Sequence, residues 1–579
     1  MASVKTNNMK KILFAIFCAC VVFVDARGDV IEHGAERYTI NVSQMDLNGE
    51  ETLMDVLLMC PEAMTLDFKT QIKSGTTPNA FDNFSLRVDN INLNMNAETF
   101  LEMTKAKEVE KIVFCTHTGV LKGSDGTDKK IDVYFRKGAR GVNGKSTLKA
   151  DSQGNLSTYH SAKNETDNML LWGSVVGRLG YVERPGTRTN SGEEDIWAGM
   201  DWSISPKDKL IIRAAQYYTY DHMRTSAVRS KKHRQAFNVK YNRSLCNGEG
   251  YFMFHLIMVN DINKRIPEGA NPNQHEYNLS PNATWEFGFP LFKRKLYVTA
   301  GVEANFTRHN DDLQEVINYS DHVDVYAQLD LKLGKWTLSA GDRLRNNNYQ
   351  QNDHNPYIKD ERLKKLAYTH SDIDHNLTLS VFGKVAKNST IQAIFAKKIW
   401  TPQFDDFCGI DEKGDFVYLE DVKIPQAYTA ELKYTYQQKD FMLMGMANFL
   451  HHTKGCVKAN ILNVGASTFW HKGIFRLTVG ADYYHDCNDP GTGTVIADYF
   501  RLRLQPQVTL PQQWRIVPTL IYNSPIYGAR EKSSLTGLIA SLSVQKNFGK
   551  HWNLNAAFNN IASQNYGRRN VSVSAIYMW

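Results

Sequence analysis

The sequence predicts a large antiparallel transmembrane β-barrel of about 22 strands preceded by a small α/β domain. Three features support this fold class: an export signal at the N-terminus, long segments of alternating apolar and polar residues after about residue 145, and connections that alternate between tight turns and longer loops. The chain before the alternating segments has a different pattern. We therefore expect a signal peptide over 1–26, an α/β domain over 27–143 and a barrel over 144–579.

The first residues have the features of a secretory signal peptide. Lys10 and Lys11 precede an apolar run from Ile12 to Val24, and the small residue Ala26 follows shortly after it. A basic start, a short apolar stretch and a small residue at the break are the marks of such a signal. The run has about thirteen residues, which is short for a membrane-spanning helix. Export predicts that the mature protein lies in the outer membrane of a Gram-negative bacterium.

The composition fits a membrane barrel although the mean hydropathy is only −0.42. In a barrel only alternate residues face lipid, so the average over the chain stays polar. After the signal, no apolar run approaches the roughly 18 residues of a spanning helix. The formal net charge of +7 is spread along the chain, so it does not indicate a nucleic-acid partner. We expect outer-membrane lipid and lipopolysaccharide to surround the barrel.

Four segments show the alternation most clearly. They run from Leu296 to Phe306, from Val323 to Leu333, from Phe475 to Ala481 and from Phe500 to Leu510. A period of two places alternate residues on opposite faces of a strand, and about ten residues cross a bilayer when the strand is tilted. A soluble β-sandwich or propeller also alternates, but its strands average about five or six residues. The length of the segments therefore favours the membrane barrel.

The connections and the tryptophans predict which rim is periplasmic. Tight turns are predicted at 205–208, 246–249, 334–335, 437–440, 471–472, 511–513 and 549–550, and looser loops at 184–193, 222–231, 260–274, 349–364 and 402–423. In outer-membrane barrels the short side is periplasmic. Six tryptophans near tight turns predict an interfacial girdle at that rim: Trp202, Trp285, Trp336, Trp470, Trp514 and Trp552.

The last predicted strand ends the chain on an aromatic residue. Val571, Val573, Tyr577 and Trp579 alternate with more polar neighbours up to the C-terminus. This pattern resembles the C-terminal signature by which the barrel assembly machinery recognises its substrates. We therefore expect that machinery to be a partner of the unfolded chain.

The region before the barrel reads as a small α/β domain. A short helix is predicted between Glu51 and Pro61, where proline stops it. A strand from Phe84 to Val88 and a helix-like stretch around Glu98 to Lys107 follow. Two further strands are predicted from Val109 to Phe114 and from Ile131 to Phe135.

The order of these elements resembles the plug domain of TonB-dependent outer-membrane receptors, in the divergent form common among Bacteroidetes. The opening helix with its proline, the strand that ends near Asp-Gly and the two closing strands each have a similar counterpart here. The residues that carry the resemblance are Leu53, Asp55, Pro61, Val88, Asp89, Ile112 and Gly138. The sequence departs from the pattern at Glu62 and Asn90, where the family favours glycine. The nearest candidate for a TonB-contact segment is 37–42.

The resemblance implies a receptor or transporter that admits a specific solute, with TonB or a surface lipoprotein as a partner. Charged residues on the predicted inward faces would contact the plug or line the path: Glu303, Asp324, Asp330, Lys332, Arg343, Arg501, Arg503 and Arg515. An alternative is a surface structural or assembly barrel whose plug is permanent and whose loops hold a protein partner. Short loops and a poor TonB-contact segment favour that alternative.

No motif in the sequence predicts an enzyme, a metal site or a cofactor. The glycine-rich stretch 138–146 has the wrong spacing for a phosphate-binding loop. His451 and His452 have no cysteine or carboxylate at a recognisable ligand spacing. Cys456 and Cys487 are symmetric about the turn predicted at 471–472, so we consider a disulfide between them, with reduced thiols as the alternative.

Overall fold

The computed structural model describes two parts of the chain. In the N-terminal part it describes residues 37–40, 42, 52–57, 84–88, 91–92, 100–101, 104, 106–115 and 129–135. From 141 to 579 it describes all residues except 185–186, 224–228, 246–249, 267–273, 292–293, 312–315, 352–368, 400–407, 411–415, 419–425, 439, 455–456, 490–494, 525–536, 550, 560 and 562–569. The predicted signal peptide lies outside these residues, as do Pro61, Asp89, Gly138 and Cys456.

The C-terminal part is a closed antiparallel barrel of 22 strands, which confirms the predicted fold class and strand number. Its strands are β6 (Gly141–Asp151), β7 (Leu156–Glu165), β8 (Met169–Arg184), β9 (Thr187–Ser203), β10 (Asp208–Met223), β11 (Arg229–Leu245), β12 (Gly250–Ile266), β13 (Gln274–Leu291), β14 (Arg294–Asp311), β15 (Val316–Leu333), β16 (Trp336–Gln351), β17 (Thr369–Ala386), β18 (Ser389–Ile399), β21 (Gln426–Gln437), β22 (Phe441–Lys454), β23 (Val457–Lys472), β24 (Phe475–Asp489), β25 (Val495–Leu510), β26 (Trp514–Asn523), β27 (Gly537–Phe548), β28 (Trp552–Asn559) and β29 (Asn570–Met578).

Each barrel strand pairs with its neighbours in sequence, and β29 closes the barrel by pairing with β6. With an even number of strands, both ends of the barrel domain lie at the same rim. Between β18 and β21 the long connection contains a separate hairpin of β19 (Cys408–Ile410) and β20 (Phe416–Tyr418). The connections at the rim of the chain's C-terminus are all short, at two to four residues, whereas those at the other rim range from two residues to the long segment between β18 and β21, as expected when the first rim is periplasmic.

The outward face of the barrel is apolar, as the alternation predicts. Leu329 on β15, Leu379 on β17 and Leu502 on β25 are examples of its exposed large side chains. The predicted tryptophans also face outward near the periplasmic ends of their strands, and Trp336, Trp514 and Trp552 are each about 40–48% exposed. The predicted girdle is therefore confirmed. No helix of the described residues is long and apolar enough to span a membrane.

The inward face is polar and largely buried. Asp324, Asp330, Arg343, Arg503 and Arg515, which the alternation places inward, are all nearly inaccessible to solvent. Glu303, Lys332 and Arg501 lie on the same inward faces and are partly buried. The predicted orientation of these charges is confirmed. Since a buried charge requires a partner, each of them raises the question of what it contacts.

The N-terminal part is a small domain built on a five-stranded sheet in the order β1-β4-β5-β2-β3. Its elements are β1 (Arg37–Ile40), α1 (Leu53–Leu57), β2 (Phe84–Val88), β3 (Ile91–Asn92), a 3-10 turn (Ala106–Glu108), β4 (Val109–Cys115) and β5 (Lys129–Phe135). The predicted opening helix and the strands at 84–88, 109–114 and 131–135 are thus present. The helix-like stretch at 98–107 is helical at Phe100 and Leu101 and then forms the 3-10 turn.

The domain has its own hydrophobic core. Leu53 and Leu57 of α1 are fully buried against Ile112 of β4 and Ile131 of β5, and Leu101 completes the cluster. Val88 is also buried, whereas only the backbone of Asp55, in α1, is described. The apolar residues of the plug-like pattern therefore build the core that holds helix and sheet together.

Three expectations from the sequence differ from the structure in position. The loop predicted at 184–193 is wrong over most of its length, because β8 ends at Arg184 and β9 begins at Thr187. The turn between β23 and β24 is at 473–474, two residues after the predicted 471–472, because Gly473 adopts the positive φ of 59° that the turn requires. In this register Asn460, rather than Cys456, lies opposite Cys487. The first barrel strand begins at Gly141, three residues before the predicted boundary at 144. The disulfide and the Bacteroidetes form of the plug stay predictions.

The segment at 37–42 is not a separate contact segment. Residues 37–40 form β1, which pairs with β4 at the edge of the N-terminal sheet. Ile40 is 4% exposed and Val42 is fully buried in the domain core. The sequence identified this stretch as the nearest candidate for TonB contact, but its apolar residues are needed for the fold of the domain.

Candidate functional site in the barrel lumen

A buried ion pair lies on the polar face of the N-terminal sheet. The parallel pairing of β2 with β5 places Arg87 directly beside Asp132. Because side chains alternate along a strand, these two point away from the core formed by Leu86 and Ile131. The guanidinium of Arg87 donates to both carboxylate oxygens of Asp132, and Asp132 is fully buried. Two hydrogen bonds to one carboxylate fix the orientation of the guanidinium and the carboxylate relative to each other.

This polar face lies near the inner wall of the barrel. Arg87 is close enough to His255 of β12 for its charge to act on the imidazole, and so is Lys240 of β11. Lys240 and His255 are cross-strand neighbours on the inward face. The ion pair of the N-terminal domain therefore lies near the lumen wall at β11 and β12.

A second buried network joins strands β13 to β16 across the lumen wall. Asp324 accepts hydrogen bonds from Arg343 at 2.6 Å and from Arg345 at 2.8 and 2.9 Å. Arg343 also contacts Glu303 at 2.9 Å and lies over the ring of Tyr326 at 4.4 Å. Asp324, Arg343 and Arg345 are at most 1% exposed. Their mutual pairing explains how three charges are accommodated in the wall, and it indicates a structural role for them.

A different group of charges lies nearer the extracellular ends of β8 to β12. We call it the vestibule belt and define it as Arg178, Glu193, Tyr217, Lys232, Arg234 and Asp261. All six residues are on inward faces. They lie five or six residues below the extracellular ends of their strands, except Lys232, which is three below. Arg234 contacts Asp261 at 2.5 Å, Lys232 contacts it at 3.3 Å, and Arg178 lies 3.7 Å from Glu193.

The cations of the vestibule belt are more exposed than the acids they contact. The side chains of Lys232 and Arg234 are 39% and 38% exposed, whereas that of Asp261 is 12% exposed. Arg178 is 28% exposed and its partner Glu193 is 15% exposed. The acids lie against the wall and the cations face the lumen. The exposed cations of the belt therefore offer positive charge to an anion in the lumen, beside the exposed carboxylate of Asp221 higher on β10.

Several of these residues could not be identified from the sequence. The inward direction of Arg343 follows from alternation, but its pairing with Glu303 depends on the register of β14, β15 and β16. The vestibule belt was also missed, because Lys232 and Arg234 precede a predicted tight turn by many residues and carry no motif. Among the described residues, no group of three or more histidine, cysteine, aspartate or glutamate side chains is arranged to hold a metal ion.

Comparison with solved structures places this architecture among known proteins. The siderophore receptor PirA from Acinetobacter baumannii superposes with a TM-score of 0.73, at 12% sequence identity, over 95% of this chain and 100% of that chain. The protein has a receptor-type outer-membrane β-barrel fold. The copper transporter OprC matches with a TM-score of 0.69, at 11% identity, over 94% of this chain and 100% of that one. The ferric-catecholate import receptor Fiu from Escherichia coli matches with a TM-score of 0.66, at 10% identity, over 96% and 97%.

These similarities confirm the predicted receptor-like fold. The N-terminal domain is named the plug from here on, after the domain that it resembles, and its blocking of the lumen is proposed below. No family model matches the sequence, and no curated protein matches it. The likeness is therefore one of architecture: a 22-strand barrel whose closed wall and apolar outer face are those of an outer-membrane protein.

Proposed function

We propose that the protein is an outer-membrane receptor that admits an anionic solute past a regulated plug. The observation that carries the proposal is the vestibule belt, where Lys232 and Arg234 present positive charge to the lumen from β11. Deeper in the barrel, Arg87 of the plug lies close enough to His255 of β12 for its charge to act on the imidazole. A solute attracted by the belt would therefore next reach the region where Arg87 and Asp132 lie near the wall.

We also propose that TonB, through its periplasmic domain, supplies the energy to move the plug. A 22-strand barrel is wide enough to need a plug, and a buried plug needs work to be displaced. Since residues 37–42 belong to the plug fold, the contact is assigned to the chain between the predicted signal and β1, residues 27–36. The solved receptors with this fold support transport over catalysis, and we propose no enzymatic activity.

The experiment that tests this proposal is co-purification of the protein from outer membranes with the periplasmic domain of TonB. The variant replaces residues 27–36 with a glycine-serine linker of equal length, which leaves β1 and the plug core intact. We expect the complex to form with the native chain and to be lost with the linker. A complex that survives the linker would refute the assignment to 27–36.

The alternative is a surface structural or assembly barrel with a permanent plug. The feature that favours it is that residues 37–42, the nearest candidate for TonB contact, belong to β1 and to the core of the domain. Failure to bind TonB, together with stable association with another surface protein such as a lipoprotein, would support this alternative over transport.

A further inference from the structure

A groove of about 820 Å³ lies on the outer surface of the barrel across β9 to β15. Its apolar lining comes from outward-facing side chains, among them Phe237, Met258, Leu279 and Phe306. Ala198 and Ala214 occupy the outward positions at its β9–β10 end. Because alanine is small, the outer surface recedes there. The groove faces lipid and is separate from the lumen.

The groove lies at the height of the outer leaflet. Tyr277, at its upper edge, is eight residues from Trp285 of the periplasmic girdle along β13. At about 3.3 Å per residue and a tilt of about 40°, Tyr277 is roughly 20 Å above that girdle. The apolar band of such a barrel is about 25 Å tall. Tyr277 therefore lies just below the extracellular headgroups, and Leu279 lies among the acyl chains.

The outward residues on β11 and β12 change from apolar to polar to basic toward the extracellular end. Phe237 pairs with Met258, and Gln235 pairs with Asn260 in the next outward-facing cross-strand pair toward the extracellular end. Each such pair is called a level. Asn260 donates to Gln235 at 3.3 Å. Two levels above them, Lys231 lies directly opposite Lys264, and both are exposed.

The opposition of these two lysines needs a counter-ion. Like charges directly across two antiparallel strands destabilise the pair. Neither Lys231 nor Lys264 forms an ion pair with an acidic side chain in the described part of the chain. The outward acids near the groove, Glu194 on β9 and Asp321 on β15, are at least two strands away, roughly 10 Å or more.

We propose that this surface binds lipopolysaccharide, with a phosphate between Lys231 and Lys264 and an acyl chain in the groove below. The order of basic, polar and apolar levels matches the order of phosphate, sugar and acyl chain in that glycolipid. The outer leaflet, where the groove lies, is the leaflet that contains it. The inference rests on the outer-membrane location and not on solute transport, because none of these side chains faces the lumen.

The test measures binding of labelled lipopolysaccharide to the delipidated full-length protein in detergent. The K231Q/K264Q variant removes both charges, and Ala214→Phe fills the groove without changing charge. The matched control is K335Q/K472Q, which removes two exposed lysines at the periplasmic rim. Heat-modifiable migration on gels verifies that each variant is folded. Dephosphorylated lipopolysaccharide and phosphatidylglycerol are the comparison ligands.

We expect K231Q/K264Q to weaken binding about 30-fold, since each lysine near an anionic surface contributes about a factor of five. Ala214→Phe should also weaken binding, the control should bind like the native protein, and the dephosphorylated glycolipid should bind like the double variant. Equal binding by K231Q/K264Q and the native protein would overturn the proposal. Equal binding of phosphatidylglycerol and lipopolysaccharide would overturn the choice of ligand.

Discussion

Trp579 and Gly144 close the barrel. The amide of each donates to the carbonyl oxygen of the other at 3.0 Å, which completes the antiparallel pairing of β29 with β6. The indole of Trp579 lies over Gly144 on the outer face, where a Cβ at position 144 would collide with the ring and with the carbonyl of Ser161. The C-terminal residue thus covers a glycine of β6, where a larger residue would collide with it.

Gly144→Val should therefore weaken the barrel seam. The added side chain must displace the indole or the backbone of β7, and overpacking of this kind costs about 1–3 kcal/mol. We expect heat modification of the folded band to occur at a lower temperature. The matched control is Gly445→Val on the outward face of β22, where a Cβ meets no atom within 4 Å. Equal loss of stability in both variants would contradict the role of the seam.

Replacing Tyr577 and Trp579 by serine should slow insertion of the chain by the barrel assembly machinery. These residues, with Val571 and Val573, present the outward apolar row of β29 and are 36–54% exposed. We expect unfolded protein to accumulate in the periplasm, measured by pulse-labelling and protease sensitivity. Trp514→Ser removes an equally exposed girdle tryptophan from another strand and should insert at the native rate. A double variant that inserts at that rate would refute the assembly signal.

Much of the barrel was predictable because each strand carries its own pattern. The alternation from Leu296 to Phe306 is enough to predict the length of the strand and which of its side chains face outward. Trp336 by itself indicates the periplasmic rim. The turn at 473–474 was displaced because His471 and Lys472 are polar enough to look like turn residues, while the positive φ is at Gly473. The role of 37–42 was missed because pairing of β1 with β4 is a contact between segments far apart in sequence.

Asp324→Asn should destabilise the barrel by about 3–5 kcal/mol. The change leaves Arg343 and Arg345 without their shared carboxylate charge in a site that is at most 1% exposed. Unfolding in urea, followed by the loss of heat-modifiable migration, measures the effect. Asp342→Asn is the control, since Asp342 is 49% exposed and its pair with His375 faces outward, where about 0–1 kcal/mol is expected. Similar effects of the two changes would contradict the network.

The candidate site was less predictable than the fold. Alternation places Arg343 and Glu303 inward, but only the register of three strands brings their side chains within 2.9 Å. The side chain of Arg234 is more exposed than that of Asp261. This difference depends on the other side chains in the lumen, which the sequence of one strand does not show. The outer groove depends on small residues on β9 and β10 lying beside larger ones on β11 and β12, a relation between strands that no single segment contains.

A barrel without its plug should conduct anions better than cations. The reason is the vestibule belt, whose cations face the lumen while its acids are closer to the wall. The reversal potential across a planar bilayer in a potassium chloride gradient measures this preference. Lys232→Glu with Arg234→Glu should shift it toward cations, and Lys472→Glu on the outer face should leave it unchanged. A cation-selective pore with the native belt would contradict the proposed class of solute.

The most direct test of the central claim is the conductance of the full-length protein and of a variant that lacks residues 37–140. This deletion ends just before β6, so all 22 barrel strands remain. Heat-modifiable migration verifies that the shortened barrel is folded. We expect a closed, silent full-length protein and an open pore after the deletion. Equal conductance of the two proteins would contradict a plug that blocks the lumen.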